Sequence, residues 1–483
     1  MAPNPVSRRS GMTVLKPGDT CWRIEGARRA VFLVDNESQY AALLSALQAA
    51  ERSIHILGWA FDPRTRLAPD GTEGPDDPDE VGRILLDLSR AKPDLDIRIL
   101  VWRAPFGLMG HQDIRGHRAK RCFAKTRVAF REARDVPFGA SHHQKLVVVD
   151  DRLAFCGGGD IVTNRWDSPA HHHVEPRRIL PDQGRHPARH EVTLLVEGPA
   201  AAALGEVFRE RWAGAGGEAL AGPGPPPGDA WPAGAPTQLT DVQVGIARTR
   251  PAWCGRPLVQ EIRRLTLACI AAARQTIYLE NQYFTCAAVA DALAARLGER
   301  DGPEVVLLVS ARAPSWFDHV TMDYARNPLI RRLRAADAHG KFRAVSPQTS
   351  AGAPIIVHSK VAVIDDRIVR IGSANLNNRS EGFDTECELA IEGETPITRR
   401  RIVAFRDQLI SHYLAVEPAR FVSARIEGGG VVAAIDALNP AGRLAPVALD
   451  PPTWWEGLVA SHSLGDPASV EESWRWRAPR SLG

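Results

Sequence analysis

Residues 143–150 read HQKLVVVD, and residues 358–365 read HSKVAVID. In both stretches a histidine, and a lysine two residues later, precede four apolar residues and an aspartate. Each stretch continues at the same spacing into a glycine-containing turn, GGGD at residues 157–160 and GSAN at residues 372–375. The apolar residues predict a buried strand, but burial does not explain a His-x-Lys start that occurs twice. The repetition therefore predicts two related strands that begin with chemically active side chains.

The repeat extends beyond these two stretches. Helix–strand pairs are predicted at residues 41–59 and 262–284, and a further pair of strands at 96–105 and 304–314. The offsets between the copies are 223 (276 − 53), 209 (312 − 103) and 215 (358 − 143). Near-constant offsets across helices and apolar strands indicate that one α/β unit has been duplicated.

We therefore expect an α/β protein with two duplicated lobes, each a mixed, largely parallel sheet flanked by helices. The first lobe is predicted at residues 20–213 and the second at 241–415, with a Gly- and Pro-rich linker or loop at 214–240. Residues 416–483 form a C-terminal extension to which the sequence assigns no fold. Its tryptophans, at positions 454–476, are interpreted as core residues, with contact to a membrane interface as the alternative.

Two histidines and two lysines are suited to one symmetric site for a phosphate diester. One imidazole, His143 or His358, can attack phosphorus while the other protonates the leaving group, if the environment separates their pKa values. The ammonium groups of Lys145 and Lys360 would neutralise the non-bridging oxygens, where charge develops in the transition state. The glycine turns would present backbone N–H groups to the same oxygens, and the Asn375 amide would add a donor.

Each histidine also needs an acceptor that orients its second ring nitrogen. Within each copy of the repeat the sequence offers one acidic candidate, Glu191 for His143 and Glu386 for His358. The alternative for either glutamate is a carboxylate at the surface or at a strand edge. His142, the neighbour of His143, is expected to face away from the site, because adjacent side chains of a strand point to opposite faces.

Composition narrows the class of protein. The chain has 483 residues, 44% of them hydrophobic and 24% charged, with a net charge of +3, which are ordinary values for a globular protein. A surface dedicated to duplex nucleic acid would have a stronger basic bias, whereas this balance permits an anionic substrate or membrane surface. Only seven of the 60 basic residues are lysines, yet both motifs use lysine, whose compact charge suits one phosphoryl oxygen.

The cysteines and the remaining histidines predict no metal centre. Seven scattered cysteines without a CxxC pair are typical of free thiols in a reducing compartment, although one or two disulfides remain open. The three histidines at 171–173 are interpreted as a loop cluster, with a metal site as the alternative, because adjacent histidines do not easily converge on one ion. The sequence contains no apolar run of about 18 residues, so no membrane span is predicted. Residues 1–16 lack the apolar core of a signal peptide.

These residues resemble the signature of the phospholipase D superfamily, HxKxxxxD followed by a GSxN or GGxD turn and present twice. Residues 358–380 are close to the full pattern. ENQYF at 280–284 and NRWD at 164–167 resemble segments of the branch that contains the bacterial and eukaryote-like phospholipases D, to which cardiolipin synthases are related. The resemblance covers residues 20–415 and implies two lobes about a pseudo-two-fold with one shared active site and a covalent phosphohistidine.

The same resemblance implies roles for individual residues. His143 would be the nucleophile and His358 the general acid, and the reaction would need no metal and no cofactor. Asp150 and Asp365 would be structural members of the motifs. The implied catalytic set is His143, Lys145, Asp150, His358, Lys360 and Asp365, and the supporting set is Glu191, Glu386, Asn375, Ser373, Gly158 and Asp160.

One position breaks the symmetry between the two copies, and one segment departs from the family pattern. Asp160 stands where the second copy has Asn375, and because an anion repels phosphate we expect its side chain to point elsewhere or to bind the substrate's head group. Arg189-His190-Glu191 stands where the family frequently has Trp-His-Asp.

The function expected from this resemblance is a phospholipase D-type phosphodiesterase that hydrolyses or transphosphatidylates glycerophospholipids. A cardiolipin synthase-like phosphatidyltransferase, a nuclease or other non-lipid phosphodiesterase, and a non-catalytic scaffold are the alternatives; the scaffold would predict decay of one motif. The expected partners are a phospholipid at a membrane surface and a water or alcohol acceptor, with no nucleic acid. The expected location is the cytoplasm, with peripheral membrane contact. The sequence does not indicate an oligomeric state.

Overall fold

The computed structural model describes residues 13–70, 78–104, 110–182, 184–224, 226, 228–313, 318–449, 465–469 and 471. The tryptophans at positions 454–476 lie outside these described residues. The strands are β1 (Arg23–Val34), β2 (Ser53–Gly58), β3 (Asp96–Trp102), β4 (Ala129–Ala133), β5 (Leu146–Val149), β6 (Leu153–Gly157), β7 (Arg189–His190), β8 (Val192–Glu197), β9 (Leu239–Arg250), β10 (Val259–Gln260), β11 (Thr276–Asn281), β12 (Glu304–Val309), β13 (Phe342–Pro347), β14 (Ile356–Val357), β15 (Val361–Ile364), β16 (Ile368–Gly372), β17 (Glu386–Glu392) and β18 (Leu444–Pro446).

The described helices of the first half have counterparts in the second half in the same order, and the second half has additional helices. They are α1 (Asp35–Ala49), α2 (Val81–Ala91), α3 (Gly110–Phe123), α4 (Pro199–Gly214), α5 (Glu261–Ala272), α6 (Ala287–Leu297), α7 (Tyr324–Ala336), α8 (Asn378–Gly382), α9 (Pro396–Leu414), α10 (Pro418–Glu427) and α11 (Val431–Leu438), with a π-helical turn at His319–Asp323 before α7. Among the described helices, none combines the length and the apolar character needed to cross a bilayer.

The duplication appears as one symmetric sheet. Sixteen strands form it, in the order β18-β13-β12-β11-β15-β16-β17-β9-β1-β8-β6-β5-β2-β3-β4, with β10 paired to β9. From the central β9–β1 pair outward, β17 corresponds to β8, β16 to β6, β15 to β5 and β11 to β2. The pseudo-two-fold therefore passes between β1 and β9, and the predicted α/β class and duplication are confirmed.

The expectation of largely parallel sheets is corrected. Parallel pairing is confined to β2–β3–β4 and β11–β12–β13 in this sheet, and to the separate β7–β14 pair; the other pairings are antiparallel. Each His-x-Lys strand lies antiparallel between two neighbours, for example β5 between β2 and β6. The reason is that β5 and β6 are joined by a turn of three residues, 150–152, which is too short for a parallel crossover.

The apolar strands are buried on both faces of the sheet. A central core shared by both lobes covers one face, and an outer core of each lobe covers the other. In β5, Leu146 and Val148 face a central core that both lobes share, whereas Val147 and Val149 face an outer core of the first lobe. In β15, Val361 and Val363 face the same central core, whereas Ala362 and Ile364 face an outer core of the second lobe. Helices α4 and α9 cover the central core, and Phe405 of α9 stacks on Phe32 of β1 at 4.1 Å between ring centroids.

The segment after α9 packs on the second lobe. Its strand β18 pairs antiparallel with β13 at the end of the sheet, and helices α10 and α11 contribute Phe421, Val431 and Ile435 to the central core. All seven cysteines are free, as the sequence suggested, and no disulfide forms. The free thiols mean that packing, and not covalent cross-linking, holds the two lobes together.

Candidate active site

The two motif histidines lie at the seam between the lobes. The backbone just before each motif histidine runs beside the backbone just before a glutamate of the other lobe. These glutamates are Glu191 and Glu386. On one side β14, which precedes His358, pairs with β7, and the backbone N–H of His358 donates to the carbonyl of His190 at 2.9 Å. On the other side the N–H of His143 donates to the carbonyl of Thr385 at 3.0 Å. Both motifs therefore start at the same interface.

These pairings decide which glutamate orients which histidine, and the expected assignment is wrong. His143 Nδ1 lies 3.0 Å from both carboxylate oxygens of Glu386, in the second lobe. His358 Nδ1 lies 3.0 and 3.2 Å from the two oxygens of Glu191, in the first lobe. Each glutamate orients the histidine of the opposite copy, because the backbone pairing across the seam places it there. Both glutamates are fully buried, which excludes the surface alternative.

Glu386 is held by two hydroxyl groups besides the imidazole. Ser373 Oγ donates to one carboxylate oxygen at 2.5 Å and Ser380 Oγ to the other at 2.7 Å. Burial raises the pKa of Glu386 to about 8, against the lowering effect of Ser373 and Lys145. Burial also lowers the pKa of His143 well below 6.5, with help from the nearby lysine charges. The pair is thus held with a neutral imidazole, the form that can attack phosphorus.

Glu191 has a different environment. Two buried guanidinium groups approach its Oε1, Arg165 at 3.7 Å and Arg189 at 3.8 Å. Burial lowers the pKa of His358 well below 6.5, and the charges of Lys360 and Arg165 lower it further. The pKa values of both histidines are therefore shifted in the same direction, and the difference between the two sides lies in the guanidinium groups around Glu191. The surroundings of the two histidines are unequal although the backbone around them is symmetric.

The two lysines are buried next to their histidines. Lys145 Nζ donates to the carbonyl of His143 at 2.9 Å, and Lys360 Nζ donates to the carbonyl of His358 at 2.6 Å. Only 4% and 2% of their respective surfaces are exposed. Burial lowers the pKa of Lys360 to about 7, opposed by Glu191 and assisted by Lys145. An arriving phosphate would restore the charge of this ammonium group by pairing with it.

The Asp160 carboxylate is held by two backbone N–H groups and forms an ion pair with Lys145. Its Oδ1 accepts the backbone N–H groups of Trp59 at 2.8 Å and Ala60 at 3.2 Å, and its Oδ2 lies 3.4 Å from Lys145 Nζ. The two expectations for its side chain, that it points elsewhere or binds the head group, stay predictions. The equivalent Asn375 keeps a buried Oδ1 without a hydrogen-bond partner.

The motif aspartates are remote from the histidines and do not belong in a catalytic set. Asp150 accepts the backbone N–H groups of residues 51, 52 and 53 at 2.7–2.9 Å. Asp365 accepts those of residues 274, 275 and 276 in the same way. Each aspartate follows its lysine by five positions of extended chain, roughly 17 Å. Their role is to fasten the end of each motif strand to the preceding helix–strand turn.

His142 is turned away from the site, as alternation predicted. Its Nε2 lies 2.9 Å from Asp135 Oδ1, and its Nδ1 lies 3.3 Å from the hydroxyl of Thr385. Burial lowers its pKa to about 3, with a further contribution from Arg211. His142 is therefore a neutral, fully hydrogen-bonded residue, and the geometry leaves His143 as the histidine of the site.

Sequence reasoning missed several residues around the site. Ser380 and Arg165 lie inside the motif segments that were recognised, but nothing local indicated that they reach Glu386 and Glu191. Glu280 of the ENQYF segment accepts a hydrogen bond from Ser359, the residue between His358 and Lys360, at 2.7 Å. A buried glutamate inside an otherwise apolar strand was the available signal for this contact.

Gly158 is the position at which the turn comes closest to the opposite lobe. A Cβ there would lie 2.6 Å from the carbonyl oxygen of His358 and 3.2 Å from Glu191 Oε2. We expect Gly158→Ala to displace His358 and to lower kcat/KM on the order of 10²-fold, since displacements of about 1 Å have effects of that size. Gly26→Ala is the control, because the nearest atom to its Cβ lies 4.0 Å away. Equal activity of the two folded variants would exclude a tight turn as a requirement.

The pKa of Lys360 predicts an alkaline limb in the activity profile. Its ammonium group is charged below a pH of about 7 and loses that charge above it, while His143 is already neutral at pH 6.5. We expect kcat/KM for a p-nitrophenyl phosphodiester, whose leaving group needs no proton, to fall above about pH 7. Lys360→Arg, whose guanidinium stays charged, should be slower but lack this limb. An unchanged limb in that variant would assign it to another group.

Two family descriptions match this chain. Residues 46–222 match the family described as "Phospholipase D", and residues 266–408 match "Cardiolipin synthase, PLD-like domain". The chain is similar to phospholipase D A of Dictyostelium discoideum, with 23% identity, covering 80% of this chain and 35% of the relative. It is also similar to phospholipase D alpha 4 of Arabidopsis thaliana, with 23% identity, covering 72% of this chain and 59% of the relative. The chain thus spans less than two thirds of these relatives' lengths.

A solved structure has the same fold. The phosphatidylserine synthase of Haemophilus influenzae Rd KW20 superposes with a TM-score of 0.54 over 80% of this chain and 88% of that chain. The sequence identity is 12%. The likeness therefore concerns the arrangement of helices and strands alone.

Proposed function

Because the chain belongs to the phospholipase D superfamily, we propose that it is a phosphodiesterase that transfers a phosphatidyl group from a glycerophospholipid to water or an alcohol. The observation that carries the proposal is the crossed arrangement at the seam. His143 and His358, each beside a buried lysine, are each oriented by a carboxylate from the other copy. One site with two imidazoles, each oriented by its own carboxylate, is what a two-step displacement at phosphorus requires.

In the first step His143 Nε2 attacks the phosphorus of the diester. An N–P bond forms, and the P–O bond to the head-group alcohol breaks. An oxygen of Glu386 accepts the Nδ1–H of His143, which keeps Nε2 free as the nucleophile. The departing alkoxide takes a proton from His358, and Lys145 and Lys360 stabilise the charge on the non-bridging oxygens.

In the second step the roles of the histidines are reversed. His358, now neutral, accepts the proton of a water or alcohol molecule, whose oxygen attacks phosphorus. The N–P bond to His143 breaks, and the enzyme returns to its initial protonation state. Water as acceptor gives a phosphatidic acid, and an alcohol gives a new diester. The scheme uses only side chains of this chain and needs no cofactor.

A phospholipid substrate is supported by the relatives and by composition. The relatives with the longest overlap carry the name phospholipase D, and a net charge of +3 on 483 residues is weak for a nuclease. The match of residues 266–408 to the cardiolipin synthase-like description favours a second candidate, in which the acceptor is itself a lipid alcohol. Both candidates act at the surface of a membrane, and we propose a cytoplasmic location with peripheral membrane contact.

Mass spectrometry of products from one substrate panel tests the proposal. The purified protein is incubated with mixed phospholipids and with nucleic acids, with and without ethanol, beside the His143→Ala variant as control. We expect phosphatidic acid without ethanol and phosphatidylethanol with it, and neither product from the variant. A lipid diester formed from phosphatidylglycerol alone would favour the cardiolipin synthase-like candidate. Cleavage of nucleic acid with no lipid product would contradict the proposal.

A further inference from the structure

A second buried cluster lies directly behind the active site. Asp35, at the start of α1, meets three histidines from separate parts of the chain: His171 from a loop, His190 from β7 and His412 from α9. One ligand atom from each of the four side chains lies within 4.8 Å of the other three. Three of the residues are buried, and the side chain of His412 is 9% exposed. None of the four takes part in the displacement chemistry.

Several polar atoms of this cluster lack hydrogen-bond partners. These are Asp35 Oδ2, His171 Nε2 and both ring nitrogens of His412, whereas His190 Nδ1 lies 2.9 Å from Asp35 Oδ1. Buried polar atoms are nearly always satisfied, because an unpaired one loses its hydrogen bonds to water without replacing them. Several such atoms around one point therefore indicate a ligand that accepts lone pairs from all of them. A cation does this, whereas a hydrogen-bond donor would have to serve each nitrogen separately.

The outer nitrogens of two of the histidines are already fixed by carboxylates. His171 Nδ1 lies 2.9 Å from Asp167 Oδ2, and His190 Nε2 lies 3.0 Å from Glu280 Oε2. With those nitrogens protonated, His171 Nε2 and His190 Nδ1 each keep a lone pair for a ligand that they share with Asp35, whose carboxylate oxygens lie 3.6 and 2.9 Å from them. A carboxylate on the far nitrogen of a metal-bound histidine is the usual second layer of a metal centre, since it fixes the tautomer and the ring.

The charges of the cluster also favour a divalent cation. Three carboxylates, from Asp35, Asp167 and Glu280, meet here, and Arg178 lies 3.7 Å from Asp167. With neutral histidines, a divalent cation would balance the charge of these four side chains. The metal-free alternative is a protonated His190 that bridges Asp35 and Glu280. That arrangement leaves a net negative charge among them and gives His412 no partner.

We propose that Asp35, His171, His190 and His412 form a zinc site. Three imidazole nitrogens and one carboxylate oxygen are a donor set that suits Zn²⁺, and four protein ligands without an open position are typical of a structural site. Ligands about 2.0–2.1 Å from a tetrahedral zinc lie roughly 3.3 Å apart. The cluster therefore has to contract slightly around the ion. The consecutive histidines contribute only His171, because His172 and His173 are exposed.

The zinc site would affect catalysis by positioning the backbone of His358 and Glu191. Asp35 exchanges backbone contacts with Glu191: its N–H donates to the Glu191 carbonyl at 2.8 Å, and its carboxylate accepts the Glu191 N–H at 3.2 Å. The carbonyl of His190 accepts the N–H of His358 at 2.9 Å. A zinc ion on Asp35 and His190 would thus fix the backbone of both members of the His358–Glu191 pair. The ion itself would not contact the substrate.

Metal analysis of the whole chain tests the proposal without any substrate, so its outcome is independent of the proposed activity. The protein is purified without a histidine tag, dialysed against EDTA, and measured by mass spectrometry for metals. We expect about one zinc per chain in the wild type and in the control His172→Ala, whose side chain is exposed. His412→Ala and Asp35→Asn should lose most of that zinc while near-ultraviolet circular dichroism reports a folded chain.

Cobalt provides a second measurement. Protein unfolded with a chelator and refolded with Co²⁺ should develop the intense visible bands of a tetrahedral N- and O-ligated ion, and His412→Ala should not. Should His412→Ala fail to fold, His412→Gln keeps a polar side chain of similar size and serves in both measurements. Wild-type protein that holds less than about a tenth of an equivalent of metal after refolding with Zn²⁺ would overturn the proposal. Full zinc content in the folded His412 variants would overturn it as well.

Discussion

His358→Ala is expected to stop after the first chemical step and to accumulate a phosphoenzyme on His143. With a p-nitrophenyl phosphodiester the leaving group needs no proton, so His143 can still attack and release nitrophenolate. The second step lacks the base that activates water, and hydrolysis should fall on the order of 10³-fold, within the range for loss of a general acid or base. Rapid-quench kinetics should give a burst of about one nitrophenolate per site, with the phosphate located on His143 by mass spectrometry.

Three comparisons make this result interpretable. His143→Ala should show no burst, because the nucleophile is absent. With a phospholipid, whose alkoxide leaving group needs a proton, His358→Ala should show no burst either. A phosphate found only on His358 in the wild type would reverse the assignment of nucleophile and acid. Near-wild-type turnover in either variant would contradict a single shared site.

The crossed carboxylates predict a second large effect. Glu386 contacts His143, so Glu386→Gln should slow formation of the phosphoenzyme for good and poor leaving groups alike. Glu191 contacts His358, so Glu191→Gln should slow the reaction mainly when the leaving group needs a proton. An amide in place of the orienting carboxylate favours the wrong tautomer, and we expect losses on the order of 10²–10⁴-fold. The measurement is the burst rate against leaving-group pKa for both variants.

If each glutamate instead contacted the histidine of its own lobe, the two variants would show the opposite pattern. Glu191→Gln would then slow the burst for every leaving group, and Glu386→Gln would steepen the dependence on leaving-group pKa. Glu394→Gln is the control, because this glutamate follows the same strand as Glu386 but is exposed. Variants are compared after thermal melting has established that they are folded, since both active-site glutamates are fully buried.

The sequence by itself determined the strands and the chemistry that they carry. Four apolar residues between a His-x-Lys start and an aspartate specify a strand buried on both faces, and β5 and β15 have that character. The duplication was visible because both copies keep the same order of helices and strands. Such features depend on residues close together in the chain, where side-chain pattern and backbone preference act directly.

Only the tertiary structure decided how the two copies are combined. The contact between His143 and Glu386 joins residues 243 positions apart, and that between His358 and Glu191 joins residues 167 apart. Both result from backbone pairing across the pseudo-two-fold, which no local pattern encodes. The same holds for the antiparallel order around each motif strand, and for the meeting of Asp35 with three distant histidines. Local sequence placed the reactive groups at strand ends, and packing of the two lobes chose their partners.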